Sequence, residues 1–269
     1  MYFLENDTLP TGASKGNQEK WYDEELDRWY KLDQFGYEAL SETIVSIILQ
    51  QSNIESDTPF RFVTYHMEHI RRNGIVNVGC YSKNFITPGK AIVTIGDLLH
   101  KTLTKQERKS LAELDSLPQK IEELVKIIVE ITKLDYFPQY LTLLFEIDSL
   151  VLNDDRHFNN IAVIEDSSGF SYCPIFDNGA SLLSNLVIGS LAMRPIDLQS
   201  FLRAMPFGIG FTEQVLAAHQ LFGTQLAIHK FSKDELHDIV YPLTNYYRAP
   251  YRSAITDRII TTISSRQSV

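Results

Sequence analysis

The chain has 269 residues, of which 44% are hydrophobic, 11% aromatic and 22% charged. That composition belongs to a folded protein with a sizeable core, one large domain or two small ones, and it excludes a disordered chain. Lys and Arg number 25 against 34 Asp and Glu, a formal net charge of −9 with no basic run longer than the pair Arg71-Arg72, which argues against a protein that tracks nucleic-acid phosphates.

The two cysteines, Cys80 and Cys173, stand alone in apolar surroundings and read as reduced core thiols rather than zinc ligands. No basic-then-apolar leader and no long uncharged apolar stretch is present, so the expected setting is the cytoplasm, with no membrane and no direct nucleic-acid partner.

In chain order, residues 1–6 read as a short strand and residues 9–17 as a polar, turn-rich segment. Lys20-Trp21-Tyr22 and residues 28–32 flank the acidic Asp23-Glu24-Glu25, which predicts a hairpin. Leu40, Ile44, Ile47 and Ile48 recur at helical spacing within 37–49, with Glu38 and Glu42 one turn apart. Residues 60–65 and 75–81 are expected to pair about the turn at Asn73-Gly74, and 91–95 to add a short strand. Beyond them the periodicity is helical. Residues 117–134 carry a stripe of Ile121, Leu124, Val125, Ile128 and Ile131, and 138–150 is apolar on two sides like a buried helix. A small hairpin is expected from 153–164 and 171–176 around Asp166-Ser167-Ser168-Gly169, with helices from there to the end. The predicted architecture is α+β, with a small β-rich N-lobe at 1–100 and a larger, mostly helical C-lobe at 101–269.

The densest polar segment, Asn153-Asp154-Asp155-Arg156-His157-Phe158-Asn159-Asn160, lies between an apolar helix and an apolar strand. Such groups are costly to bury unless they bind one another, a metal or a substrate. Asp155, Asn160 five residues on, and Asp177 across the following hairpin have the spacing with which kinases assemble a base and a magnesium site. A carboxylate can take or orient a hydroxyl proton, and an amide and a carboxylate oxygen suit Mg²⁺, which prefers hard donors. The first lobe supplies the expected complement: a loop between Gly12 and Gly16 for phosphates, Lys31 on a strand, and Glu42 on the next helix.

Ser14-Lys15-Gly16-Asn17-Gln18-Glu19-Lys20, Tyr30-Lys31-Leu32, Asp155-Arg156-His157-Phe158-Asn159-Asn160 and Phe176-Asp177 together resemble the successive motifs of HipA-type serine/threonine kinases. The Asp-Arg-His-x-x-Asn loop is also similar to the catalytic loop of phosphatidylinositol 3-kinases. The resemblance covers most of the chain. It implies a two-lobed protein-kinase-like fold, ATP with Mg²⁺, a protein substrate with a Ser or Thr acceptor, and an antitoxin or companion protein as partner. Asp155 would be the base, Asn160 and Asp177 the metal ligands, and Lys31 the phosphate-binding lysine, with Ser14, Lys15 and Gly16 in the phosphate loop. Glu42 would pair with Lys31, with Glu38 its competitor one turn earlier, and Ser14 is the nearest match to an autophosphorylated loop serine. His157 is expected to tie down the catalytic loop, and Arg156 to pack, form a salt bridge or meet a phosphorylated residue. Residues 181–206 would sit where kinases keep activation and substrate-docking elements.

Two features depart from the HipA pattern. The chain begins almost at the phosphate loop, as in shortened toxins whose missing subdomain is a separate protein, and Asn178-Gly179 makes the metal segment more like the Asp-Phe-Gly of eukaryotic kinases. Two other readings stay open: a non-catalytic nucleotide-binding module, and a kinase of the same fold acting on a lipid or small molecule.

Overall fold

The structure is a computed structural model that describes residues 1–4, 19–72 and 74–267. Alternating aromatic and polar residues build the first sheet. Strands β2 (Lys20–Asp23) and β3 (Arg28–Leu32) form the expected hairpin, pairing Trp21 with Tyr30 and Lys20 with Lys31. With β1 (Tyr2–Leu4), β4 (Tyr65–Arg72) and β5 (Ile75–Lys83) they make five strands in the order β1-β4-β5-β3-β2, with β1 parallel to β4. Successive side chains alternate faces. Tyr30 and Leu32 therefore join Trp21 and Ile70 in a small cluster on one side of β3, while Lys31 faces the other.

Helix α1 (Glu38–Leu49) packs against that other side and is buried nearly all round. No N-cap side chain closes it; two acids take the duty instead. Glu38 accepts the backbone N–H groups of Gln34, Phe35 and Gly36 at 3.3, 2.7 and 3.0 Å. Asp33 accepts the Ala39 N–H at 2.6 Å and the Tyr247 hydroxyl at 2.7 Å, and burial pushes its carboxyl up to about 8.

The strand expected at 60–65 lies one element later. Residues 60–64 stay outside the sheet: Val63 N–H donates to the Ile175 carbonyl at 2.9 Å and Phe62 bridges Ile175, so this apolar run is buried against the segment around Ile175. The strand itself is the more polar run that follows, because one of its faces is solvated. Asn73, half of the expected turn, lies outside the described residues, and Gly74 beside it has φ +76°. The short helix α2 (Ile54–Asp57) connects α1 to this region.

A second sheet runs β6-β7-β8, from β6 (Ala91–Thr94), β7 (Ala162–Asp166) and β8 (Gly169–Tyr172). Strand β6 lies within the residues expected for the first lobe, yet every one of its pairings is with β7. Its sheet thus draws strands from both sides of residue 100.

Helices α3 (Ile95–Thr102), α4 (Lys105–Ala112), α5 (Leu117–Thr132) and α6 (Phe137–Val151) follow β6. Ser116 caps α5 in a capping box with Gln119, and the stripe of α5 enters the main core as its spacing predicts. After β8 the chain is less helical than expected. Residues 173–194 are irregular, and then come α7 (Pro195–Gln199), α8 (Phe211–Phe222), α9 (Lys233–Leu243) and α10 (Ala249–Arg266). One apolar core joins α1, the inner face of the first sheet, α5, α6 and α10. The observed architecture is a small lobe built on an antiparallel-rich sheet and a larger helical part. Among the described residues no helix is long and apolar enough to cross a membrane.

Candidate active site

Lys31 is 7% exposed and reaches from β3 to both other elements of the site. Its ammonium donates to Glu42 Oε1 on α1 and, at 2.6 Å, to Asp177 Oδ1 on the segment after β8. Glu42 Oε2 accepts the Asn178 N–H at 2.8 Å, so the helix carboxylate also fixes the backbone beside Asp177. The two acids one turn apart on α1 therefore divide their work, Glu42 taking the lysine and Glu38 the turn before the helix.

Burial and charge oppose each other in this cluster. Burial by itself would lower the Lys31 ammonium, but the Asp177 and Glu42 carboxylates hold it well above the usual lysine range. Burial would raise Asp177, but Lys31 and then Lys20 hold its carboxyl well below the usual range. Lys20 belongs here because the hairpin register sets it beside Lys31, and burial lowers its ammonium. Lys20 ends the motif that begins at Ser14, and its place at the site follows from the cross-strand register.

Helix α6 ends on Leu152 in the left-handed region at φ +56°, and the polar loop starts there. Its organiser is Arg156. The fully buried guanidinium donates Nε to both oxygens of Asp148 at 3.2 and 3.1 Å and Nη2 to Asp148 Oδ1 at 3.1 Å. The same side chain reaches the Phe176 carbonyl at 2.6 Å, the Asn160 carbonyl at 3.2 Å and Asn178 Oδ1 at 2.6 Å. Asn153 adds bonds to Asp148 Oδ1 and the Asp177 carbonyl, and its own oxygen accepts the Asp155 N–H. A five-donor planar fork satisfies this many acceptors where a lysine would not.

His157, expected to anchor the loop, does not: its side chain is 41% exposed and its Nε2 lies 3.7 Å from Asp155 Oδ1. Arg156 takes that role as a salt-bridging core residue. Asp148 is the partner that sequence alone did not reveal; with Glu146 it is one of two carboxylates in an otherwise apolar, buried helix, and that was its signal.

Asp155 presents a side chain 60% exposed, toward solvent. Burial of its surroundings and the charge of Asp177 raise its pKa, opposed by His157 and Arg156. Beside it, burial pushes the Asp154 carboxyl up to about 6. Asn160 Nδ2 donates to the Asp155 carbonyl at 2.8 Å and approaches Asp155 Oδ2 at 3.4 Å, which leaves the amide oxygen on the other branch. The structure thus forms two groups, Lys31 with Glu42 and Asp177, and Asp155 with Asn160. Arg156 bonds to the backbone of both. Ser14, Lys15, Gly16 and Gly12, expected as the phosphate loop, lie outside the described residues.

One amide oxygen and one carboxylate suit Mg²⁺, which commonly takes one or two protein oxygens and completes its shell with phosphates and water. Among the described residues no group of three or more His, Cys, Asp or Glu side chains could hold a metal by itself. The residues fit a metal that arrives with a phosphate ligand.

No family model and no curated protein sequence matches this chain. Among solved structures, the proinflammatory kinase CtkA of Helicobacter pylori superposes with a TM-score of 0.62 at 14% identity, over 98% of this chain and 91% of that one. HipA of Shewanella oneidensis MR-1, solved as a toxin–antitoxin complex with HipB and operator DNA, gives a TM-score of 0.46 at 11% identity. That match covers 94% of this chain and 61% of the HipA chain. The match with CtkA is near-complete in both directions, and this chain shares its kinase fold, with a small sheet lobe and a larger helical part.

Proposed function

We propose that the chain is an ATP- and Mg²⁺-dependent kinase that transfers the γ-phosphate to a Ser or Thr hydroxyl of a protein. The observation that carries this reading is the Glu42–Lys31–Asp177 ion chain, which joins a strand, a helix and the segment after the second hairpin in one buried cluster. A carboxylate and an amide sit across from it on a loop braced by Arg156.

Phosphoryl transfer asks the protein mainly for positioning and charge neutralisation. Lys31 would hold phosphate oxygens, with Glu42 fixing the ammonium and Lys20 adding a second positive charge. Asn160 and Asp177 would hold Mg²⁺, which when bound neutralises charge on the phosphates. Asp155 orients the acceptor hydroxyl and takes its proton as the oxygen bonds to the γ-phosphorus and the bond to the β–γ bridging oxygen breaks. Its exposed position suits an acceptor presented from solvent, such as a side chain of another protein.

Intact-mass measurement of the wild type and Asp177→Ala after incubation with ATP and Mg²⁺, with peptide mapping and a panel of protein, lipid and small-molecule acceptors, tests the proposal. Phosphate gained on Ser or Thr by the wild type alone supports it. Nucleotide binding with no transfer to any acceptor would favour a non-catalytic module, and transfer to lipid or small molecules alone would overturn the protein acceptor.

A further inference from the structure

Residues 178–193 follow Asp177 without regular structure, yet they are tied on two sides. From α1, the Tyr37 hydroxyl donates to the carbonyls of Leu182 and Leu183 at 2.7 and 3.0 Å, the Tyr37 N–H donates to the Ser184 carbonyl at 3.3 Å, and the Ser41 hydroxyl donates to the Ser181 carbonyl at 3.0 Å. Gly36 fits this seam closely, since a Cβ there would lie 1.9 Å from the Ser184 carbonyl oxygen. From α10, the guanidinium of Arg258 donates to the carbonyls of Gly189 at 2.8 Å and Met193 at 3.2 Å, to that of Ser190, and to that of Leu183 at 3.5 Å.

Arg258 is 3% exposed, and among the described residues no carboxylate lies within ion-pair distance of it. A buried cation with carbonyls and the Tyr37 hydroxyl as partners, and no carboxylate, is an expensive way to fill space, because an apolar residue of similar volume costs less. What it gains is geometric: one rigid fork fixes four carbonyls of a segment in which Leu182 and Leu183 both hold φ +59°, a region bulky side chains avoid.

We propose that Arg258 is a positioning residue of the kinase site: it locks residues 183–193 onto α10 and, through the seam with Tyr37 and Ser41, holds α1 so that Glu42 stays engaged with Lys31 beside Asp177. The proposal rests on the kinase reading above for its functional consequence, but the mechanical link stands on the contacts alone. The segment is held in place by a cation of the chain itself.

The test combines hydrogen exchange, read by mass spectrometry on the nucleotide-free full chain, with phosphate-transfer kinetics for the wild type, Arg258→Met, Arg258→Lys and Tyr37→Phe. In Arg258→Met, amides of 183–193 and of α1 should exchange faster together by about tenfold or more, the scale of losing one charge-assisted hydrogen bond, while α5 is unchanged. Transfer should slow in parallel, and Arg258→Lys should recover part of both. Faster exchange confined to α10 and 183–193, with α1 and turnover unaffected, overturns the link. If Arg258→Met exchanges faster everywhere, Tyr37→Phe reads the same link from the other end, and a change confined to α1 overturns it. A wild type that transfers no phosphate sinks the kinase reading, and the exchange data still decide the link.

Discussion

Two buried charge clusters lie side by side in this protein, and they are built differently. Around Arg156 every strong donor has an acceptor, with the carboxylate of Asp148 opposite the guanidinium and neutral oxygens taking the remaining N–H groups. Around Lys31 one ammonium faces two carboxylates, and Lys20 supplies further positive charge from the next strand. A cluster built on a planar fork with every donor paired specifies one geometry; one built on ammonium point charges at the ends of flexible stems leaves room for another cation and for phosphates. We read the first as the brace and the second as the working site.

The contrast is broken or sharpened most strongly at Asp177. Asp177→Ala should abolish phosphate transfer while lowering the melting temperature of the nucleotide-free protein less than an Arg156 variant does, because Lys31 keeps Glu42 as its partner. A melting temperature that falls as far as that of an Arg156 variant would erase the distinction.

Asp155→Asn should lower turnover by about 10²–10⁴, the range for loss of a general base, with little effect on stability because the side chain is exposed. Steady-state kinetics and a thermal melt check both halves. In the wild type the acid limb of the pH–rate profile should lie above the ordinary aspartate range, since burial and Asp177 raise the pKa of Asp155, and activity should be lost as pH falls through it. His157→Gln removes the nearest opposing group and should move that limb further up.

Arg156→Met should cost about 3–5 kcal/mol in denaturant unfolding, because Asp148 is then buried without its partner. Adding Asp148→Leu should restore part of that loss. A single variant as stable as the wild type would mean the cluster is not a brace.

The smallest expected effect lies at Asp33. Its folded-state pKa is raised to about 8, so its contribution to stability is fully present below the unfolded value of about 4 and is lost as pH rises toward 8. Asp33→Asn keeps the shape without the titration. Its melting temperature relative to the wild type should therefore improve steadily from pH 5 to pH 8, and a flat difference would show that Asp33 is not the titrating group.

Much of the fold was legible because local physics and tertiary structure agree. The aromatic hairpin at Lys20–Asp23 and Arg28–Leu32, helix α1, the stripe of α5 and the apolar α6 follow from periodicity and turn chemistry that hold wherever the segment is placed. The strand at 60–65 was misplaced because a short apolar run does not say what it is buried against. It packs on Ile175, more than a hundred residues later. The extent of helix after β8 was overestimated because 173–194 owes its path to donors elsewhere, Tyr37 and Arg258 among them, and not to its own propensity.

At the candidate site the sequence determined the residue types and their order: a lysine on a strand, an acid on the next helix, and Asp155, Asn160 and Asp177 at their spacing. Those are properties of a chain read along its length. Only the tertiary structure decided that Lys31 meets Glu42 and not Glu38, that Lys20 joins it, and that Arg156 braces the loop where His157 was expected to. The reason is that a charged group's partner is set by which elements the packed core brings within about 3 Å, and the energy of a buried charge depends on that partner far more than on its neighbours in sequence.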